Sequence, residues 1–250
     1  MNHTIHFITY ANEKFAKAKQ RLLKEAEEFG EFKTIRGYGP EHLPKWFVNK
    51  YKKILKLPRL AGYGIWRPIT IMMRLGTISE GDYLIYLDAG CVINTQGKKR
   101  FHEYIELLDN SEHGIISFQM SGNKGPGSLE TEKKWTIREI FDYFDVKIES
   151  DIGNCGQYLD GILIMKKNAH LIKIINVWLK TLYDSPLMFT DIYNEKNQIA
   201  EFCDNRHEQS VFSIIRKLYG SIVIDDESWM LPFGFGESLK YPFWAMRKNN

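Results

Sequence analysis

A chain of 250 residues holds enough material for one large domain with a sizeable core. Its hydrophobic share of 44% and charged share of 26% are those of a globular protein, and a net charge of +3 means that any polyanion-binding surface must be local. Three scattered cysteines, Cys91, Cys155 and Cys203, exclude a disulfide framework and a zinc site and suggest reduced thiols in a cytoplasmic protein. In chain order, the first residues lack the basic-then-apolar pattern of a signal peptide. Residues 3–10 alternate and are β-rich, a first strand, and 13–29 have helical spacing. Residues 32–36 read as a second strand, closed by Gly37-Tyr38-Gly39-Pro40. Residues 44–56 are amphipathic and very basic, with Lys45, Lys50, Lys52, Lys53 and Lys56 set among Trp46, Phe47 and Tyr51. Pro68 suits the first turn of a helix over 68–78.

A strand over 83–87 stops at Asp88-Ala89-Gly90 and is followed by a helix over 97–108 and a strand over 114–118. Residues 119–130, rich in Gly, Ser and Pro, read as a mobile loop, of a length that usually carries function. A helix over 135–144, a strand over 158–165, helices over 169–183 and 207–219, and a strand over 221–224 complete the pattern. No apolar run approaches the ~20 residues that span a bilayer. The alternation predicts a single α/β domain with a mostly parallel central sheet flanked by helices. Ligands of such sheets bind outside the carboxyl ends of the strands, where Asp88 falls, and Ala89-Gly90 leave room for one. Gly37-x-Gly39 lacks the rest of a dinucleotide fingerprint, and no phosphate-binding loop with Lys and Ser/Thr occurs.

The blocks HFITYAN, GYGIWRP, YLDAG, QYLDGILIMKK and RHEQSVFSII stand in an order and rough spacing that resemble GT-A-fold glycosyltransferases, over about residues 5–225. The layout is also similar to glycogenin-like and lipopolysaccharide-galactosyltransferase-like enzymes. The resemblance implies a single GT-A-like Rossmann-type domain, with a nucleotide-binding part to about residue 118 and an acceptor or catalytic part from about 119. It further implies a UDP- or GDP-linked nucleotide-sugar donor, hexose transfer to a glycan or glycoprotein acceptor, a divalent cation (Mn2+ or Mg2+) and no nucleic acid.

Carried onto this sequence, the family pattern places Thr9, Tyr10 and Ala11 around the nucleobase and ribose. Trp66 and Arg67 lie at the mouth of a helix, Arg67 toward phosphate oxygens, with Arg74 on the same helix face seven residues on. Asp88 holds the cation on the diphosphate, which helps the leaving group depart. Gly90 stands where the second acid of an Asp-x-Asp is expected, which shifts metal ligation elsewhere, and His207 is the expected partner of Asp88. Asp160 meets sugar hydroxyls or acts as a base, with Gly161 allowing close approach and Gln157 adding an amide. Glu208 is a second base candidate, and Arg247 with Lys248 folds over the diphosphate.

Plainer readings stand beside these. Asp88 caps a turn, Trp66 packs in a core, and His207-Glu208 stabilise a helix start. The lysines of 45–56 form a solvated face, or else meet anionic lipid or an acidic glycan in peripheral membrane contact. Two other functions stay open: a non-catalytic sugar-nucleotide-binding relative, suggested by Gly90, and a nucleic-acid-binding protein using the basic aromatic helix. The low charge and the lack of a recognition motif weigh against the latter.

Overall fold

The computed structural model describes residues 3–120 and 130–248, so most of the loop expected over 119–130 lies outside the described residues. The strands are β1 (Ile5–Tyr10), β2 (Thr34–Tyr38), β3 (Tyr83–Leu87), β4 (Val92–Ile93), β5 (Ile115–Gln119), β6 (Ile162–Lys166), β7 (Ile222–Asp225) and β8 (Phe243–Trp244). Six of them form one sheet in the order β2-β1-β3-β6-β5-β7, while β4 and β8 pair separately. Only β6 runs against its neighbours; β1-β2, β1-β3 and β5-β7 are parallel, as the alternating pattern predicts. Because β6, from the later half of the chain, lies between β3 and β5, the two halves share one sheet.

The longest helices are α1 (Ala16–Phe29), α2 (Trp66–Leu75), α3 (Lys98–Asp109), α4 (Ala169–Asp184) and α5 (Glu208–Tyr219). Strand β3 is buried on both faces, which is why it reads as an unbroken apolar run. Leu84 and Tyr86 point into one core with α2, α4 and α5, while Tyr83, Ile85 and Leu87 point into a second with α1 and α3. Trp178 of α4 stacks on Phe212 of α5 at 3.9 Å between ring centroids, fixing these two helices together.

Several elements differ from their sequence signals for local reasons. Residues 158–161 are not strand: Leu159 N–H donates to Phe118 O at 2.9 Å and Asp88 N–H donates to Gly161 O at 2.8 Å. This stretch therefore stitches the ends of β3 and β5 before β6 begins. The helix expected over 135–144 is two pieces, Glu132–Trp135 and Arg138–Tyr143, separated at an extended Thr136. The basic segment is likewise two short helices, Lys45–Lys50 and Lys52–Leu55. The tail forms β8, a two-residue strand too short to leave a periodic signal.

Candidate functional site

The carboxyl ends of β1, β2, β3, β5 and β7 lie at one edge of the sheet, and β6 starts there. Asp88 follows β3 and Asp160 precedes β6, and the pairing of Leu87 with Ile162 brings them side by side. Helix α2 begins at the same edge and supplies Arg67, whose guanidinium is the centre of the site. Arg67 Nη2 donates to Asp88 Oδ1 at 2.8 Å, and Nη1 donates to Asp160 Oδ2 at 2.5 Å and to Glu208 Oε1. Tyr86, two residues before Asp88 on the same strand face, donates its hydroxyl to Asp88 Oδ1 at 2.5 Å. Three carboxylates thus converge on one cation.

Burial divides the three acids. The side chain of Asp88 is 39% exposed and that of Arg67 only 3%, while Asp160 and Glu208 are buried. Burial pushes Asp160 up to about 6 and Glu208 up to about 8 against the opposing pull of Arg67. Arg67 also loses by burial, but Asp160 and Asp88 hold its charge well above the usual range. Burial therefore favours the neutral form of both acids, Glu208 the more strongly, and Glu208 Oε2 has no hydrogen-bond partner among the described residues. Glu208 and Asp160 are shielded from water, and Asp88 is the acid of the three that solvent reaches.

Two glycines make the convergence possible. Gly64 has φ +72°, and a Cβ there would run into the Glu208 carboxyl. A Cβ at Gly161 would meet Asp88 Oδ2 at 3.0 Å. Gly90 has a different neighbour: a Cβ would meet Arg247 Cα at 3.2 Å, and Lys248 N–H donates to Gly90 O at 2.8 Å. The tail thus occupies the space beside Gly90. Arg21 clamps the same loop, donating to Ala89 O at 3.0 Å. Arg247 is exposed, with its guanidinium 5.8 Å from the Trp229 ring centroid.

The structure brings Asp88, Ala89, Gly90, Asp160, Gly161, Arg67, Glu208 and the Arg247 backbone together and corrects several expectations. Arg67, expected toward phosphate oxygens, instead faces carboxylates with both terminal nitrogens, while its Nε has no partner among the described residues. Arg74 lies at the other end of α2, about 10 Å along the axis, where it donates to His6 Nδ1 at 3.0 Å and to Thr34 Oγ1 at the amino ends of the strands. Tyr10 offers no free stacking face on its Trp66 side: the rings stack at 3.7 Å and 12°, and both residues are buried. Thr9 and Ala11 are buried beside it, and Thr9 Oγ1 lacks a partner among the described residues. Gln157 is buried, and its Oε1 accepts from Gln209 Nε2 at 2.6 Å, so it positions Gln209 rather than meeting a ligand.

His207 caps α5 at φ +56°, its Nε2 2.7 Å from Asp191 Oδ1 and its ring against Tyr63. It is therefore engaged away from Asp88. Asp88 Oδ1 already accepts from two donors, and the described residues contain no group of three or more His, Cys, Asp or Glu able to hold a metal ion. The donor set does not fit a divalent cation held by the protein. Sequence reasoning missed Tyr86 and Gly64. The alternation of β3 would have found Tyr86, while nothing in the spacing of Gly64 points to Glu208.

The sequence matches no protein-family model and no curated protein. Among solved structures, the fold is similar to a glycosyltransferase involved in the glycosylation of the major capsid of PBCV-1, at 13% identity and a TM-score of 0.52 over 96% of this chain and 93% of that one. Weaker likenesses include the glycosyltransferase GlyE of Streptococcus pneumoniae TIGR4, at 12% identity and a TM-score of 0.45 over 91% of this chain and 46% of that one. Mouse xyloside xylosyltransferase 1 is similar at 8% identity and a TM-score of 0.46, over 88% of this chain and 84% of that one. What the first likeness shows is architecture: the chain has a GT-A-like, Rossmann-type α/β fold.

Proposed function

We propose that this chain is a glycosyltransferase that moves a hexose from a UDP- or GDP-linked sugar to a hydroxyl of a glycan or glycoprotein acceptor, in the synthesis of surface polysaccharide or protein-linked glycan. The observation that carries the reading is the convergence of Asp88, Asp160 and Glu208 on Arg67 at the carboxyl edge of a GT-A-like sheet. In the transfer, the bond from the anomeric carbon to the diphosphate breaks and a bond to the acceptor oxygen forms. Asp88, the exposed acid, is the group we assign to the reacting sugar and to the hydroxyl proton. Asp160 and Glu208 act through Arg67, which they hold at a fixed distance from Asp88. Thr9 and Tyr10 end β1 at this edge and Ala11 follows, and we assign their backbone to the nucleobase and ribose. Arg247, exposed and backed against Gly90, is our candidate for meeting the leaving diphosphate. The three cysteines are unpaired, in keeping with the cytoplasmic setting we infer.

Following nucleoside diphosphate release from UDP- and GDP-sugars tests this reading. Wild type is expected to turn over at least one donor, and Asp88→Asn to lose at least about 100-fold with a melting temperature within about 2 °C of wild type. The tail beside Gly90, where a second acid is absent, favours one other reading: a protein that binds the sugar nucleotide without transferring it. A nucleotide-dependent rise in melting temperature with no release from any donor selects that reading, and no response to any nucleotide discards both.

A further inference from the structure

Between Leu43 and Ser79 the chain has eight Lys or Arg residues and no Asp or Glu, in a protein of net charge +3. Arg67 and Arg74 are buried, and Arg59 pairs with Asp191 and Asp204. The five lysines of 45–56 are all exposed, and Lys45, Lys52, Lys53 and Lys56 have no carboxylate partner among the described residues. The inner face of this segment is fixed by Phe47 and Tyr51, which are buried in the core, so the lysines cover the outer face. Two large apolar side chains stand on the same segment: Trp46 is 50% exposed and Leu60 is 49% exposed. Trp46 touches Tyr183 of α4, whose ring also lies 4.6 Å from the Lys50 ammonium.

We propose that this face docks on an anionic lipid surface. Lysines alone would suit any polyanion. An exposed indole among them, with an exposed leucine four residues after Lys56, adds apolar groups that gain by entering the interfacial region of a bilayer, where Trp side chains settle. The charge supplies long-range attraction to acidic headgroups, and the apolar side chains supply shallow insertion. No described helix is long and apolar enough to cross a membrane, so the contact is peripheral. The face continues directly into the site. Leu60 O accepts from Trp66 Nε1 at 3.0 Å, and Gly64 abuts Glu208. The inference rests on charge and exposure and not on the proposed transfer reaction.

Cosedimentation of the full chain with vesicles tests it without any activity readout. Vesicles with about 30% phosphatidylglycerol in phosphatidylcholine are expected to bind at least about tenfold more tightly than phosphatidylcholine alone, with loss as salt rises from about 0.05 to about 0.5 M. Changing Lys45, Lys52, Lys53 and Lys56 together to Gln should abolish binding, and Trp46→Ala should weaken it several-fold, both with unchanged melting temperatures. Equal binding to neutral vesicles, or indifference to the quadruple change, overturns the proposal. So does failure to bind vesicles by a protein that is retained by heparin or single-stranded DNA, which would identify a soluble polyanion as the occupant.

Discussion

Helix α2 carries two buried arginines, and the two ends of the sheet use them in opposite ways. At the amino ends of the strands, Arg74 meets neutral groups, Thr34, Thr77 and His6, while burial and Arg36 lower its pKa. The acid at that end, Asp82, is satisfied by others. Burial works against its charge, but the N–H groups of Thr4 and Ser79, with His6, hold its carboxyl below the usual range. At the carboxyl ends, Arg67 is outnumbered three to one by acids, and burial favours the neutral forms of Asp160 and Glu208. The amino end matches its one buried acid with donors, although Arg74 Nε has no partner among the described residues. The carboxyl end differs in its excess of acid, three carboxylates on one guanidinium, with Glu208 Oε2 and Arg67 Nε unmatched among the described residues, and this excess is why the proposed site is put there.

The sharpest way to break the comparison is to remove each arginine in turn. Arg67→Leu strands buried acids and should cost about 3–5 kcal/mol, lowering the melting temperature by roughly 10 °C and abolishing transfer. Arg74→Leu leaves His6 and Thr34 bonded to each other at 2.8 Å, so the expected cost is smaller, about 1–3 kcal/mol, with transfer per folded molecule unchanged. Thermal melts and activity on the same samples decide; equal losses in both variants would erase the distinction drawn between the two ends.

A pH series sharpens it further. Burial raises Glu208 from an ordinary value of 4.5 to about 8, so the folded protein holds a proton that the unfolded chain releases between those values. Stability from this group therefore falls as pH rises through that window. Glu208→Gln cannot ionise and should gain on wild type between pH 5 and pH 9, by about 2–4 °C for each kcal/mol relieved. A difference in melting temperature that stays flat with pH would show that Glu208 ionises normally. The smallest effect is expected from metal removal. With Asp88 tied to Arg67 and Tyr86, transfer should stay within about threefold in excess chelator. Full loss restored by Mn2+ would mean that Asp88 leaves Arg67 to take a cation.

Much of the frame was legible in the sequence. The apolar run of β3 and its stop at Asp88 were plain, because a strand buried on both faces cannot hide its pattern. The direction of Arg67 was not legible, since nothing local tells a guanidinium which acids the fold will bring to it. Arg67 and Arg74 share a helix face by their spacing, but periodicity gives the face and not the depth. One ended at the site and the other at the far edge of the sheet. The stacking of Tyr10, expected at the nucleobase, was not legible either, because a strand-end aromatic carries no sign that a tryptophan 56 positions later will cover one face. His207 was given a metal because Asp191, its actual partner, sits in a stretch without regular pattern.

The reversed strand β6 has a consequence for how the chain is made. Strand β3 keeps an open edge until β6 has been synthesised about 80 residues later, which is roughly 4–16 s at ~5–20 residues per second. Strand β5 is made with neither neighbour present, and its edge toward β7 stays open after β6 has appeared, because both β6 and β7 come after it in the chain. Until β6 appears, the nascent protein displays the open edge of β3 and both edges of β5, the kind of surface that recruits other strands. Chaperone demand and inclusion-body formation should therefore track translation speed between residues 88 and 166, and fragments ending within that interval should aggregate.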